Sequence, residues 1–127
     1  MRSNVRIISQ PEAGIAELER LARGLRGNNS VKVGLPRSSN AYPDGTSVIM
    51  VGSVHEFGSP LNNIPQRSFL RSTIESGRQE YKSLFRKLTL KIIRNQITKS
   101  NALRLIGLQV QGDVQAKITD GIEPQLK

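Results

Sequence analysis

Over residues 68–96, Phe69, Leu70, Ile74, Tyr81, Leu84, Phe85, Leu88, Ile92 and Ile93 recur at three- and four-residue steps. That is the spacing at which an α-helix turns one face toward a core. The stripe predicts a long central helix, and the chain must supply a second layer to cover it. Gly77 interrupts the pattern; it costs about 1 kcal/mol relative to Ala inside a helix and marks a kink or a close packing contact. Upstream, Ser9-Gln10-Pro11-Glu12 reads as a capping box opening an N-terminal helix. Ile15, Leu18, Ala22 and Leu25 would form its apolar face, and Gly27-Asn28-Asn29 would end it. Downstream, Ser100 reads as the cap of a last helix whose Leu103, Ile106, Val110, Val114 and Ile118 share a face, before Gly121 and Pro124 stop it.

Between the first two helices the period changes. Val31, Val33 and Leu35 alternate with Lys32 and Gly34, as in a half-buried strand. Residues 47–57 hold the β-branched cluster Val48, Ile49, Val51 and Val54, which predicts one long strand. The intervening residues 37–46, with Ser38, Ser39, Asn40, Pro43, Asp44 and Gly45, predict a mobile loop, so an antiparallel hairpin is the economical connection. A two-stranded ribbon persists only when packed on helices. The expected architecture is therefore α+β: a small antiparallel sheet of at least two long strands against an N-terminal, a long central and a C-terminal helix. A single domain covers residues 1–127, with a Pro- and Gly-rich loop at 58–66 leading into the basic helix.

The 127 residues include no Cys and one His. Disulfide frameworks, thiolate metal sites and multi-histidine zinc sites are excluded, and any Ser-His triad must use His55. His55 and Glu56 are adjacent, and on a strand they would point to opposite faces, so they would not cooperate as base and orienter. With neither a Walker pattern nor a dinucleotide fingerprint near Gly52 and Gly58, the reading is a non-enzyme with no cofactor and no metal. No apolar run approaches the roughly 20 residues that span a bilayer, and the basic N-terminus lacks a signal-peptide core, so synthesis in the cytoplasm without membrane partnership is expected.

Charge is uneven. The chain carries +9 at pH 7, and residues 67–104 hold ten basic side chains against Glu75 and Glu80. Arg78, Lys82 and Arg86 are spaced by four, as are Lys87 and Lys91, giving stripes along the helix. Such a face is either solvated or set against DNA or an acidic subunit. Sequence-specific DNA reading has little support, because the basic helix follows a Pro-rich loop instead of a tight helix-turn-helix, and the aromatic residues fall largely in or beside the apolar stripe.

Two runs stand out as a pair: Val54-His55-Glu56-Phe57-Gly58-Ser59-Pro60, and Asn63-Ile64-Pro65-Gln66-Arg67-Ser68-Phe69-Leu70-Arg71-Ser72-Thr73. The combination resembles the tail-completion and neck proteins of tailed bacteriophages, the family of lambda Z-like minor tail and virion morphogenesis proteins. There a strand ending in N/H-E-F-G leads through a short loop into I-P-x-R-x-F-L-R, which opens a long helix. Residues 31–35 and the segment from Gly107 to Glu123, notably Gly112-Asp113-Val114-Gln115, add to the likeness, which covers roughly residues 30–124. One departure is that the family usually continues past the position of Pro124 with a P-L-x-x-T-G-x-L element leading into a strand, whereas this sequence reaches Lys127 without it.

The resemblance implies a structural virion protein at the neck or head-proximal end of the tail. Copies of the chain would form a ring of six-fold or related symmetry between the head connector and the tail terminator or tube, with double-stranded DNA passing through its lumen. In the residues themselves, Gly58, Pro60 and Pro65 give the loop a defined shape, and Phe69 and Leu70 anchor the helix that follows. Arg67 and Arg71, one turn apart, suit a carboxylate of the same or a neighbouring subunit. His55, Glu56, Phe57, Gly58, Pro60, Ile64, Pro65, Arg67 and Arg71 are thus the expected subunit or partner interface. Arg78, Lys82, Arg86, Lys87 and Lys91 are the expected basic face toward an acidic partner or DNA. The rival reading is a small basic nucleic-acid-binding module contacting phosphates non-specifically.

Overall fold

The computed structural model describes residues 11–27 and 29–124. In it the chain folds into five α-helices: α1 (Pro11–Leu25), α2 (Val48–Phe57), α3 (Leu70–Ser76), α4 (Arg78–Ile93) and α5 (Lys99–Asp120), with one 3₁₀ turn at Pro60–Asn62. Among the described residues there is no sheet, only an isolated antiparallel bridge between Ser59 and Ile64. The expected α+β architecture is therefore wrong, and the fold is all-helical.

The error lies in two segments. Residues 47–57, expected as a strand, are helix α2. The Ser47 hydroxyl accepts a hydrogen bond from the Met50 amide, and Gly58, at φ 74°, closes the other end by donating its N–H to the Val54 carbonyl. A helix satisfies its backbone within the segment, whereas a strand here would need a partner. The intended partner, residues 31–35, bends at Gly34 and forms no bridge with any described residue. It lies across α2 and α5 as a strap: a Cβ on Gly52 would collide with the Leu35 side chain, and one on Gly107 would lie 2.8 Å from Val31. The loop between them is closed on itself by Tyr42 N–H to the Thr46 carbonyl at 2.9 Å and Gly45 N–H to the Tyr42 carbonyl at 2.8 Å.

The central helix is divided where Gly77 stands. The α3 helix ends there with the Gly77 N–H on the Thr73 carbonyl at 2.9 Å, and the Tyr81 ring lies 2.6 Å from where a Cβ would be. Break and close contact thus coincide. The α4 and α5 helices form an antiparallel pair joined by residues 94–98, and α3 packs on both. Thr98, not Ser100, caps α5, accepting from the Asn101 amide at 3.2 Å. The buried apolar core is Phe69, Tyr81, Leu88, Ala102, Ile106, Val110 and Val114, with Val33, Leu84 and Ile92 at its edge. Tyr81 ties the pair together by donating its hydroxyl to the Asp113 carboxylate at 2.7 Å, and Gln109 donates to the other oxygen at 3.0 Å.

The α1 helix stands apart from this core. Ile15 and Leu18 of its expected apolar face are more than half exposed. Two polar contacts hold α1 near the α4–α5 turn: Arg20 to the Asn95 side chain at 2.9 Å, and Lys99 to the Arg26 carbonyl at 2.8 Å. The expected capping residues Ser9 and Gln10, and Asn28 of the stop signal, lie outside the described residues.

Candidate functional site

The last turn of α2 turns Glu56 inward, where only 7% of the residue is exposed. Its carboxylate sits at the start of α3 and accepts four hydrogen bonds: from the Ser68 hydroxyl (2.7 Å) and the backbone amides of Phe69 (2.9 Å), Leu70 (2.9 Å) and Arg71 (3.0 Å). These amides are the orphan donors that open any helix, here satisfied by a side chain from another element. Burial by itself raises the Glu56 carboxyl, but the bonds from Ser68, Leu70, Arg71 and Phe69 outweigh it and hold its pKa below the ordinary carboxylate value. Glu56 thus fastens α2 to α3.

The backbone of the same residues clamps the loop between the two helices. The Arg67 N–H reaches the His55 carbonyl at 2.7 Å, and the Gln66 side-chain amide reaches the Glu56 carbonyl at 2.7 Å. Ser59 and Ile64 exchange backbone bonds at 2.9 and 3.0 Å. Gly58 is required by more than its positive φ, because a Cβ there would lie 3.0–3.2 Å from the backbone of Ile64 and Gln66. Arg67 donates its Nε to the Pro124 carbonyl, which ties the loop to the segment after α5.

Thus held, the loop rims an open groove of about 1100 Å³. Of the expected interface residues, His55, Phe57, Gly58, Pro60, Ile64, Pro65 and Arg67 line it. Glu56 is turned away into the α3 cap, and Arg71 is exposed outside the groove. Two apolar residues lining the groove are uncovered, Phe57 at 72% and Met50 at 64% exposure, and beside the groove Leu61, in the 3₁₀ turn, is 99% exposed. Met50 and Leu61 are absent from the sequence-based set. A Leu between Pro60 and Asn62-Asn63, at the tip of a turn, was the available signal for one of them.

The basic residues lie elsewhere. Arg78, Lys82, Arg86, Lys87 and Lys91 are all exposed on α4. At 3.6 residues per turn, Arg78, Lys82 and Arg86 run down one flank of α4 and Lys87 and Lys91 down the other, so the single expected face is two. Glu17–Arg20 at 2.6 Å and Glu19–Arg23 at 3.9 Å are ion pairs within α1. Among the described residues no ion pair is made by the α4 cations. Exposed Phe85, Leu90 and Ile93 are interleaved with them.

The whole surface is large for the mass. A compact monomer of 14.0 kDa exposes about 6,700 Å², whereas this chain exposes 10621 Å². Counting the fourteen residues outside the described set at the full exposure of an extended chain, about 160 Å² each, still leaves an excess of roughly 2,000 Å².

No group of three or more His, Asp or Glu side chains among the described residues is placed to hold a metal ion. No described helix is long and apolar enough to cross a membrane. In comparisons with known proteins, no family model, no curated protein and no solved structure matches the chain.

Proposed function

We propose that this chain is a non-enzymatic structural subunit of a tailed-bacteriophage virion, acting in the tail-completion or neck ring that joins the tail to the head connector. Copies of the chain form a ring of six-fold or related symmetry, with the connector on one side, the tail terminator or tube on the other, and double-stranded DNA passing through the lumen. The observation that carries this reading is the excess surface with its uncovered Met50, Phe57 and Leu61, which suits a part made to be covered by neighbours. The family-like motif adds support: its Glu56, Gly58 and Arg67 rigidify a loop whose apolar tip costs little entropy to dock.

Light scattering on the purified chain, with and without tail or neck extract from the phage lysate, tests the reading. A ring, or a monomer that joins a particle only in the extract, is expected. A monomer that ignores the extract overturns it.

One observation favours a second reading, the basic nucleic-acid-binding module: among the described residues the α4 cations make no ion pair. Such a module binds duplex DNA at physiological salt, and its affinity falls steeply as salt rises. The assembly reading requires neither.

A further inference from the structure

We infer that the uncovered face of α1 docks on the Arg78–Lys82–Arg86 flank of α4 in a second copy of this chain. The inference rests on the reading of the chain as a self-assembling subunit and names the surfaces by which copies join. The α1 face is an apolar stripe, Ile15 and Leu18 at 56% and 67% exposure with Ala22 on the same side. By helical spacing Glu12 and Glu19 border Ile15. Among the described residues Glu12 makes no ion pair and Glu19 makes the 3.9 Å pair with Arg23, whereas Glu17 is occupied by Arg20 on the far side of the helix. All three α1 acids precede its first Arg.

The α4 flank is the counterpart in both respects. Phe85, 46% exposed, lies one turn after Lys82, and Ile93, 41% exposed, lies two turns beyond Arg86 on the same side, and among the described residues these cations make no ion pair. The two helices are nearly equal in length, 15 and 16 residues, or about 22 and 24 Å. Each patch joins apolar contact to charge of opposite sign, the combination that gives register as well as affinity.

The area agrees. A specific interface takes about 800 Å² from each partner. A chain that offers α1 to one neighbour and α4 to another uses two such patches, close to the excess of roughly 2,000 Å². Using two different patches makes the contact heterologous, the kind that closes into a ring. At physiological salt the Debye length is about 8 Å, so the general repulsion between two +9 chains is largely screened beyond that distance and the opposite charges in the contact act against nearby charges alone.

The chain has no cysteine, so introduced thiols report cleanly. Leu18→Cys and Phe85→Cys chains, residues midway along the two helices, are mixed and oxidised; a disulfide between the two kinds of chain is expected. In parallel, Glu12→Lys with Glu19→Lys, and separately Lys82→Glu with Arg86→Glu, should each weaken self-association by about tenfold or more. Mixing the two reversed chains should restore it. All four positions are exposed, and circular dichroism checks that each variant folds.

Self-association that ignores both reversals, with no mixed disulfide, overturns this contact and leaves the assembly reading standing. A disulfide that forms only within a chain carrying both cysteines overturns it in favour of α1 closing on its own α4. A wild-type chain that stays monomeric at all concentrations and shifts on duplex DNA overturns both this contact and the homo-oligomeric ring.

Discussion

Glu56 shows how a residue type that is usually exposed can serve the fold from inside. A buried carboxylate without a cation is costly unless hydrogen bonds replace its water, and here a hydroxyl and three helix-opening amides do so. Glu56→Ala should destabilise the fold by about 3 kcal/mol in urea titration, because four donors lose their acceptor, and Glu56→Gln by less, since one oxygen remains. The pH dependence has a definite sign. With its folded pKa lowered, Glu56 contributes stability that is fully present above the unfolded carboxyl value and is lost as pH falls through the folded one. Wild-type stability should therefore fall more steeply on acidification than that of Glu56→Gln, and equal acid limbs would sink the assignment. The neighbouring Phe57 points outward from the same turn, so adjacent residues of one motif divide between fold and surface.

At the level of elements, the informative cases are α2 and the α3–α4 break. Val48, Ile49, Val51 and Val54 favour a strand by propensity, but that preference is worth about 1 kcal/mol at most and depends on neighbours to pack against. The Ser47 cap and the Gly58 stop decide for helix. Hydrogen exchange should accordingly protect the amides of residues 52–58 in the helical i to i−4 pattern while those of 31–35 exchange fast; ladder-like protection of both segments would restore the hairpin. Between α4 and α5 the Tyr81–Asp113 bond is the polar tie. Desolvation first, then the Asp113 hydrogen bond and charge, push the Tyr81 phenol up to about 12. Its stabilisation is present below the unfolded value of about 10 and lost as pH rises from there toward 12. Tyr81→Phe should cost about 1 kcal/mol at neutral pH and flatten that alkaline decline, as measured by thermal melts across pH 8 to 12.

For the molecule as a whole, the contrast is between a small core and a large surface. Seven buried apolar residues, mostly on α4 and α5, hold the helices, while Ile15, Leu18, Met50, Phe57 and Leu61 sit in water. Surface substitutions away from special features usually change stability by no more than about 0.5 kcal/mol. Phe57→Ser with Leu61→Ser should therefore leave the melting temperature nearly unchanged while abolishing entry into neck or tail particles in the extract assay. Unimpaired assembly of that double variant would separate the groove from the proposed function.

Much of this protein was legible in its sequence, and for a common reason: the signals were local. The buried positions Tyr81, Leu88, Ile106, Val110 and Val114, the break at Gly77, the anchor Phe69 and the exposed cations of α4 follow from period and backbone chemistry within a few turns of chain, whereas Ile74, Phe85, Ile93 and Ile118 of the same stripes are exposed. The sequence alone also put His55, Phe57, Gly58, Pro60, Ile64, Pro65 and Arg67 in one set, and the structure lines one groove with them. What only the tertiary structure decided depends on partners distant in the chain. Whether residues 31–35 find a strand to pair with, whether Glu56 faces a neighbour or the α3 amides 13 to 15 residues away, and whether the stripe of α1 is covered are outcomes of packing. An alternating or amphipathic pattern states that a face wants burial, and only the assembled fold states what, if anything, buries it.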